Sequence, residues 1–390
     1  MTRCTRFEID LDALDHNLSE VRSFVASSPA PPPAIAAVIK ADAYGLGAVR
    51  VAKTFAQAGA DMLAVACLSE ALELARGFGD LAPPPLLVMG HTPDEGIADA
   101  VRAGIRLTIF DLRQATLLSR AAAALQKTAV AHVKIDSGMN RLGIKPDAET
   151  PALLERMAAL PGLELEGIFT HLALFDARSD RRQFELFMGV VAGAEARGVH
   201  FALRHVCDSI GLARYPEYRL DLVRAGAVLY GARPSKAPLA ENLDLRVPFA
   251  LRTRISRIRR IGEGEGVGYD FTYRAGVGGA SIATLPVGYA DGYRRCLSNR
   301  AQVIVRGRRA SVVGLICMDQ LVVDVTAIPE AAEGDEVLLF GKVGAEEIDL
   351  SELAAWAGTN RNEIIASIGR RVPRVYLRGG EIESTVDYLE

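Results

Sequence analysis

From about residue 30 to residue 230, short β-branched or apolar runs alternate with longer segments of helical period, and this alternation constrains the fold more than any other feature. Eight runs read as strands: Ala34 to Ile39, Met62 to Val65, Leu86 to Val88, Arg106 to Ile109, Ala129 to Ile135, Leu163 to Phe169, Phe201 to His205 and Leu222 to Leu229. Segments such as Leu68 to Arg76 and Arg182 to Ala196 read as the helices between them. Eight βα units suit a (β/α)8 TIM-type barrel of ~250 residues. An open Rossmann sheet fits less well, because no G-x-G-x-x-G follows the first strand.

Past about Ser235 the pattern changes. Ser235 to Leu245 reads as a linker, and the runs LRTRISRIRRI, SIATLPVGYA, AQVIVRG and EVLLFG follow, separated by glycines. These predict a mostly β C-terminal domain with one helix at Leu350 to Ala357, closed by Gly358. A chain of 390 residues exceeds one ordinary hydrophobic core, so the expected division is a barrel over 1–238 and a β domain over 239–390.

A net charge of −3 gives no bias toward nucleic acid or an anionic membrane, and a small zwitterionic partner fits better. The arginines at 252, 254, 257, 259 and 260 read as a solvated sheet face. The opening MTRCTRFEIDLDAL lacks the apolar core of a signal peptide and no later run is long enough to cross a bilayer, so a cytoplasmic location is expected. Five scattered cysteines without CxxC or zinc spacing predict reduced thiols, with neither a disulfide framework nor a metal site.

Barrels of this kind build their chemistry at the carboxyl ends of the strands. Lys40 ends the first strand (AVIKADAYGLG), Lys134 to Arg141 end the fifth (HVKIDSGMNRLG) and His171 ends the sixth (GIFTHLA). Asp208 and Ser209 follow the seventh (HVCDS), while Arg224, Gly226 and Ala227 lie in or just past the eighth (LVRAGAVLYG). A lysine there can be desolvated, which frees the neutral amine for Schiff-base chemistry; taken alone it could equally snorkel over the barrel mouth. Ser209, Gly226 and Ala227 sit where such barrels frequently hold a phosphate, although a serine and a glycine are also ordinary turn residues. A lysine and a phosphate loop on one rim point to a phosphorylated aldehyde, pyridoxal 5'-phosphate.

The motif AVIKADAYGLG resembles the cofactor-lysine signature of alanine racemases, which are pyridoxal-phosphate enzymes of fold type III. The likeness continues in order through GVGYDFTY, TLPVGYADGYRR, VGLICMDQ and AGTNRNEIIASIGRRVPRVY, nearly end to end. The resemblance implies that Lys40 carries the cofactor and acts as one of two acid/base groups, with Tyr269 as the other on the opposite face. In the family the lysine serves the D-enantiomer, and the tyrosine, which comes from the partner subunit of a head-to-tail homodimer, serves the L-enantiomer. Arg224 resembles the arginine facing the pyridine nitrogen, His171 a histidine near the cofactor ring and His205 a residue that orients the arginine. Tyr44 and Ser209 match phosphate contacts, and Arg141 a contact to the phenolic oxygen and the substrate carboxylate. Met318 would give that carboxylate a backbone N–H from the other subunit, and Tyr289 and Asp319 match residues of the same second-domain face. Lys134 resembles a lysine often carbamylated in this family. The implied role is supply of D-alanine for peptidoglycan.

Departures from the pattern are Asp42, Leu46 and Asp270, where asparagine, histidine and glycine are common, and Asp208 and Asn362, where asparagine and tyrosine are usual. Asp208 would point away from the phosphate, be protonated, or meet a cationic substrate group. With Asn362 it suggests a pocket extended toward serine or basic amino acids. The rival readings are a decarboxylase of basic amino acids, against which Arg224 and the VGYDFTY block speak, and a non-catalytic pyridoxal-phosphate carrier, which would need no second domain.

Overall fold

The computed structural model describes residues 3–27, 31–234 and 237–389; Ser235 and Lys236 of the expected linker lie outside them. The chain forms two compact units, one of Leu14–Ala43 and Ala48–Arg246 and the other of Met1–Ala13, Tyr44–Gly47 and Val247–Glu390.

Within the first unit, eight parallel strands curl into a nearly closed barrel. They are β2 (Ala34–Val38), β3 (Met62–Val65), β4 (Leu86–Val88), β5 (Arg106–Ile109), β6 (Ala129–Lys134), β7 (Leu163–Phe169), β8 (Leu203–His205) and β9 (Leu222–Ala225). Neighbours pair in chain order from β2 to β8, and β9 returns to pair with β2. The seam between β8 and β9 is held by the Asp221 N–H donating to the Arg204 carbonyl at 3.1 Å and the Arg224 N–H to the Cys207 carbonyl at 3.0 Å. Runs such as MLAV and LLV are buried throughout, as expected for parallel strands covered on both faces. The helix Ala48–Gln57 buries Ala48, Val51, Ala52 and Phe55, the spacing of a single apolar stripe.

Two expected boundaries shift for local reasons. The eighth strand stops at Ala225 because Gly226, at φ −118° and ψ −104°, leaves the β region, and Ala227–Tyr230 forms a 3-10 turn. An apolar run alone does not separate a strand from a buried helical turn. The helix expected from Arg182 begins at Ala177, where the Asp176 carboxylate caps it by accepting the Ser179 N–H.

The second unit is built on an 11-stranded sheet that includes β1 (Arg6–Asp10), a strand the sequence pattern did not reveal. β1 lies between Phe249–Arg254, antiparallel to it, and Arg374–Arg378, parallel to it. Phe7, Phe249 and Phe340 pack ring against ring in the core of this sheet. Of the arginine run, residues 254, 257, 259 and 260 are exposed, whereas Arg252 is paired with Glu8 and Glu336. Leu350–Ala357 is a helix, and Gly358 closes it in the left-handed conformation. No helix among the described residues is long and apolar enough to cross a membrane.

Candidate active site

The barrel's first strand delivers Lys40 into a turn of unusual hand. Ala41, Asp42, Ala43 and Tyr44 have φ of 54°, 55°, 53° and 57°, a left-handed turn without a glycine. Each such residue costs roughly 1–2 kcal/mol relative to a right-handed turn, so neighbours must hold it in place. Glu70 accepts the Ala41 N–H at 2.7 Å through one oxygen and the Ala66 N–H at 2.7 Å through the other. Asp42 accepts the Ala48 N–H at 2.6 Å, a contact that an asparagine oxygen makes equally well, so the departure from asparagine is neutral for this cap. Gly45 and Gly47 follow at φ +88° and +97°; a Cβ on the first would overlap the Ile365 carbonyl, and one on the second the Tyr376 hydroxyl. Buried Arg374 donates twice to the Gly45 carbonyl, at 3.1 and 3.0 Å, and the Tyr376 hydroxyl donates to the Leu46 carbonyl at 2.9 Å.

Lys40 shares the barrel rim with three more basic side chains. Desolvation, reinforced by Arg141 and opposed in part by Asp208 and Glu70, holds its ammonium below the usual lysine range. Lys134, at the end of β6, is buried with its ammonium 4.7 Å from the centre of the Phe169 ring, and no carboxylate among the described residues forms a salt bridge with it. Its pKa lies well below that of free lysine, first through burial and then through Arg224 and Arg141. The loop that follows is tied back by Asp136, whose carboxylate accepts the Gly138 and Asn140 N–H groups at 3.1 and 2.9 Å, and it presents an exposed Arg141.

Arg224 is fully buried, and desolvation brings it down to about 10, so it remains a cation at neutral pH. It donates to the Thr170 and Val206 carbonyls at 3.0 and 2.8 Å, to His171 Nδ1 at 3.2 Å and to His205 Nδ1 at 2.9 Å. His171 is held neutral, its pKa lowered to about 2 by desolvation and then by Arg224, Lys134, Arg141 and Lys40. Ser209 accepts the Gly226 and Val228 N–H groups at 2.9 and 3.3 Å, and Ala227 opens the adjoining 3-10 turn. Asp208 uses one oxygen to accept the Ile210 and Gly211 N–H groups at 3.0 and 2.9 Å; its other oxygen lies 3.9 Å from His171 Nε2. Lys40, Lys134, Arg141 and Arg224, basic groups faced by Asp208, suit a dianionic phosphate, a phenolic oxygen and a substrate carboxylate. The donor set fits pyridoxal 5'-phosphate.

Sequence reasoning missed His132 and Glu166. Both sit inside barrel strands, in AVAHVK and LELEGIF. His132 Nδ1 is 2.8 Å from His205 Nε2, and His132 Nε2 is 2.9 Å from Glu166, which Arg106 also grips at 2.7 and 2.9 Å. For His132 the available signal was a polar residue at a buried position of a mostly apolar strand, whereas Glu166 shares its strand with the exposed Glu164 and carried no such mark.

Burial lowers the pKa of His132 and His205 from 6.5, against Glu166 on one side and with Arg106, Arg224 and Lys134 on the others. The folded barrel therefore keeps both rings neutral where the unfolded chain protonates them. Their contribution to stability is complete above 6.5 and is lost as pH falls below it. Unfolding free energy of the cofactor-free protein is therefore expected to fall as pH drops below that point. Denaturant titrations over about pH 7 to pH 5 measure this; a flat profile would show that the folded rings take up protons.

The other expected residues belong to the second unit. Tyr269 opens a short 3-10 turn, Tyr269–Phe271, between the paired strands Gly266–Val267 and Tyr273–Arg274, and it is 66% exposed. Asp270 replaces the family's glycine at φ 58°, a left-handed position that aspartate tolerates better than most residues. The Tyr289 and Ala290 N–H groups donate to the Cys317 and Met318 carbonyls at 3.1 and 3.0 Å, and a Cβ on Gly288 would overlap both carbonyls. Asp319 is bound to Arg371 at 2.7 Å. Asn362 lies exposed on the helix Arg361–Ala366.

Residues 9–234 match the N-terminal domain of alanine racemase and residues 249–376 its C-terminal domain. The alanine racemase of Desulfovibrio desulfuricans is 42% identical over 374 residues, spanning 95% of this chain and 97% of the relative. Among solved structures, the alanine racemase of Clostridium difficile superposes with a TM-score of 0.94 at 36% identity, covering all of both chains. That of Bacillus anthracis gives 0.90 at 34% identity, covering 100% of this chain and 99% of the other. These relatives do not favour the extension toward serine or basic amino acids read from Asp208 and Asn362, nor the decarboxylase and carrier readings. The chain belongs to the alanine racemase family, pyridoxal-phosphate-dependent isomerases that interconvert the enantiomers of alanine.

Proposed function

We propose that this protein racemises alanine with Lys40 and Tyr269 as its two acid/base groups. The observation that carries the reading is the rim itself, where a partly desolvated Lys40 stands among Lys134, Arg141 and Arg224. When bound, pyridoxal phosphate supplies an electron sink that lowers the acidity barrier at the substrate α-carbon. Lys40 would hold it through Nζ and would take and return the α-proton of D-alanine. The lowered pKa favours the neutral amine that both tasks need. Tyr269 exchanges the proton of L-alanine through its phenolic oxygen on the opposite face. Tyr44, Ser209, Gly226 and Ala227 bind the phosphate, and His171 lies against the ring. Arg224, oriented by His205, would donate to the pyridine nitrogen without giving up its proton, so the nitrogen would stay unprotonated and the electron sink weaker. Arg141 and the Met318 N–H take the substrate carboxylate.

Lys134 suits carbamylation, because burial favours the neutral amine that adds carbon dioxide and the resulting anion would offset Arg141. In buffer containing 13C-bicarbonate, a carbamate carbonyl resonance is expected that Lys134→Ala lacks; its absence from the wild type would remove this assignment.

The working assembly on this reading is a head-to-tail homodimer in the cytoplasm that supplies D-alanine for peptidoglycan. Support comes from the exposure of Tyr269, Phe271 and Met318, at 66%, 54% and 53%, since apolar groups so open to water favour a partner surface. Subunit mixing tests activity and assembly together. Lys40→Ala and Tyr269→Phe chains, each inactive alone, are unfolded and refolded together. If Tyr269 serves the partner's site, each mixed dimer carries one intact site, and about a quarter of wild-type activity returns. If both residues serve the same subunit, no activity returns.

A further inference from the structure

The hydrogen bonds behind Arg224 run in one direction. A guanidinium donates and never accepts, so His205 Nδ1, 2.9 Å from Arg224, is an acceptor without a proton. The proton of a neutral His205 then sits on Nε2, facing His132 Nδ1 at 2.8 Å. His132 Nδ1 is the next acceptor, which places its proton on Nε2, 2.9 Å from Glu166. Arg106 closes the far end on the same carboxylate.

The backbone is shaped around this chain. Ala131 pairs with Leu165 and His132 with Gly167, so Glu166 is the extra residue of a β-bulge. Gly167 makes room for the imidazole, since a Cβ there would lie 2.5 Å from His132 Nδ1. On the other side Phe169 stacks on His205, with ring centres 4.6 Å apart. A bulge and a small residue thus place two polar groups in a core that would otherwise exclude them.

Resting on the racemase reading, we infer that Glu166 is a positioning residue for the reaction: through His132 and His205 it fixes the donor direction that holds the Arg224 guanidinium toward the cofactor's ring nitrogen, with Arg106 anchoring the carboxylate. Both imidazoles are fully buried and kept neutral, as the relay requires. A carboxamide at 166 removes the constraint, because it offers a donor as well as an acceptor. With its N–H toward His132 Nε2, both rings can exchange tautomers. His205 would then present a proton to Arg224, donor against donor, and Arg224 must move.

The test uses full-length protein labelled with 15N in histidine, with and without pyridoxal phosphate. Both His132 and His205 are expected as neutral Nε2–H tautomers in the wild type and in Glu166→Asp, which keeps a carboxylate. Glu166→Gln is expected to shift His132 toward Nδ1–H. With alanine it should also raise, by about tenfold, the ratio of pyruvate release to racemisation, as the amino group passes to the cofactor and water supplies the pyruvate oxygen. An Nδ1–H tautomer at either ring of the wild type overturns the inference, whether or not the Gln variant folds. So does a change in tautomer without a change in product ratio, the reverse, or no change in either. Because the tautomers are read without turnover, failure to racemise any amino acid would sink the activity alone and leave the relay to be judged on its own.

Discussion

Replacing Lys40 with alanine is expected to eliminate racemisation, with a loss of at least about 10⁴-fold, and to abolish the absorbance of protein-bound cofactor after gel filtration. Two roles disappear together. The covalent attachment is lost, and so is the group that handles the proton of D-alanine. The fold should survive, because the Lys40 side chain forms no salt bridge among the described residues, and its removal takes one positive charge from a rim that still holds Lys134, Arg141 and Arg224. Thermal unfolding of the cofactor-free variant should therefore match or exceed that of the cofactor-free wild type. A Lys40→Ala protein that retained bound-cofactor absorbance would move the attachment elsewhere on the rim. Lys134 would be the first candidate, since its amine is buried and its pKa is pushed well below the usual lysine range.

The barrel was legible because its strands are apolar without alternation and its helices carry a clear stripe, so period and spacing located all eight strands to within a few residues. What escaped shows the limits of periodicity. β1 is a five-residue run whose meaning depends on two strands more than 200 residues later, Phe249–Arg254 and Arg374–Arg378. The left-handed turn at Ala41–Tyr44 left no mark, because four residues other than glycine are held there by groups as distant as Glu70. Lys40, Arg224 and the rim loops were readable from strand ends, whereas His132 and Glu166 lie inside the strands AVAHVK and LELEGIF, away from the rim. For Asp208 the sequence leaves open whether it points away from the phosphate, is protonated or meets a cationic substrate group; one of its oxygens caps the Ile210 turn, a role that depends on backbone geometry that no motif displays.

Tyr269→Phe should separate the two halves of the reaction. Deleting the phenolic oxygen removes one acid/base group and is expected to slow racemisation by roughly 10²- to 10⁴-fold in both directions, since every turnover uses both faces. Exchange of the α-hydrogen with solvent does not require both faces. Lys40, intact in this variant, can still remove the proton of D-alanine, share it with water and return it to the same face. In deuterium oxide, D-alanine should therefore gain deuterium without inversion, while L-alanine, whose proton faces the missing group, should not. Proton NMR of the alanine α-position, with chiral chromatography of the same samples, reads both quantities. The turn around Tyr269 should tolerate the change, because the side chain is mostly exposed and the neighbouring positive-φ residues, Gly268, Asp270 and Phe271, are untouched. Equal loss of exchange from both enantiomers would mean that Tyr269 supports cofactor or substrate placement and not proton transfer, and the second base would then have to be sought among the other residues of its domain, with Tyr289 first in line.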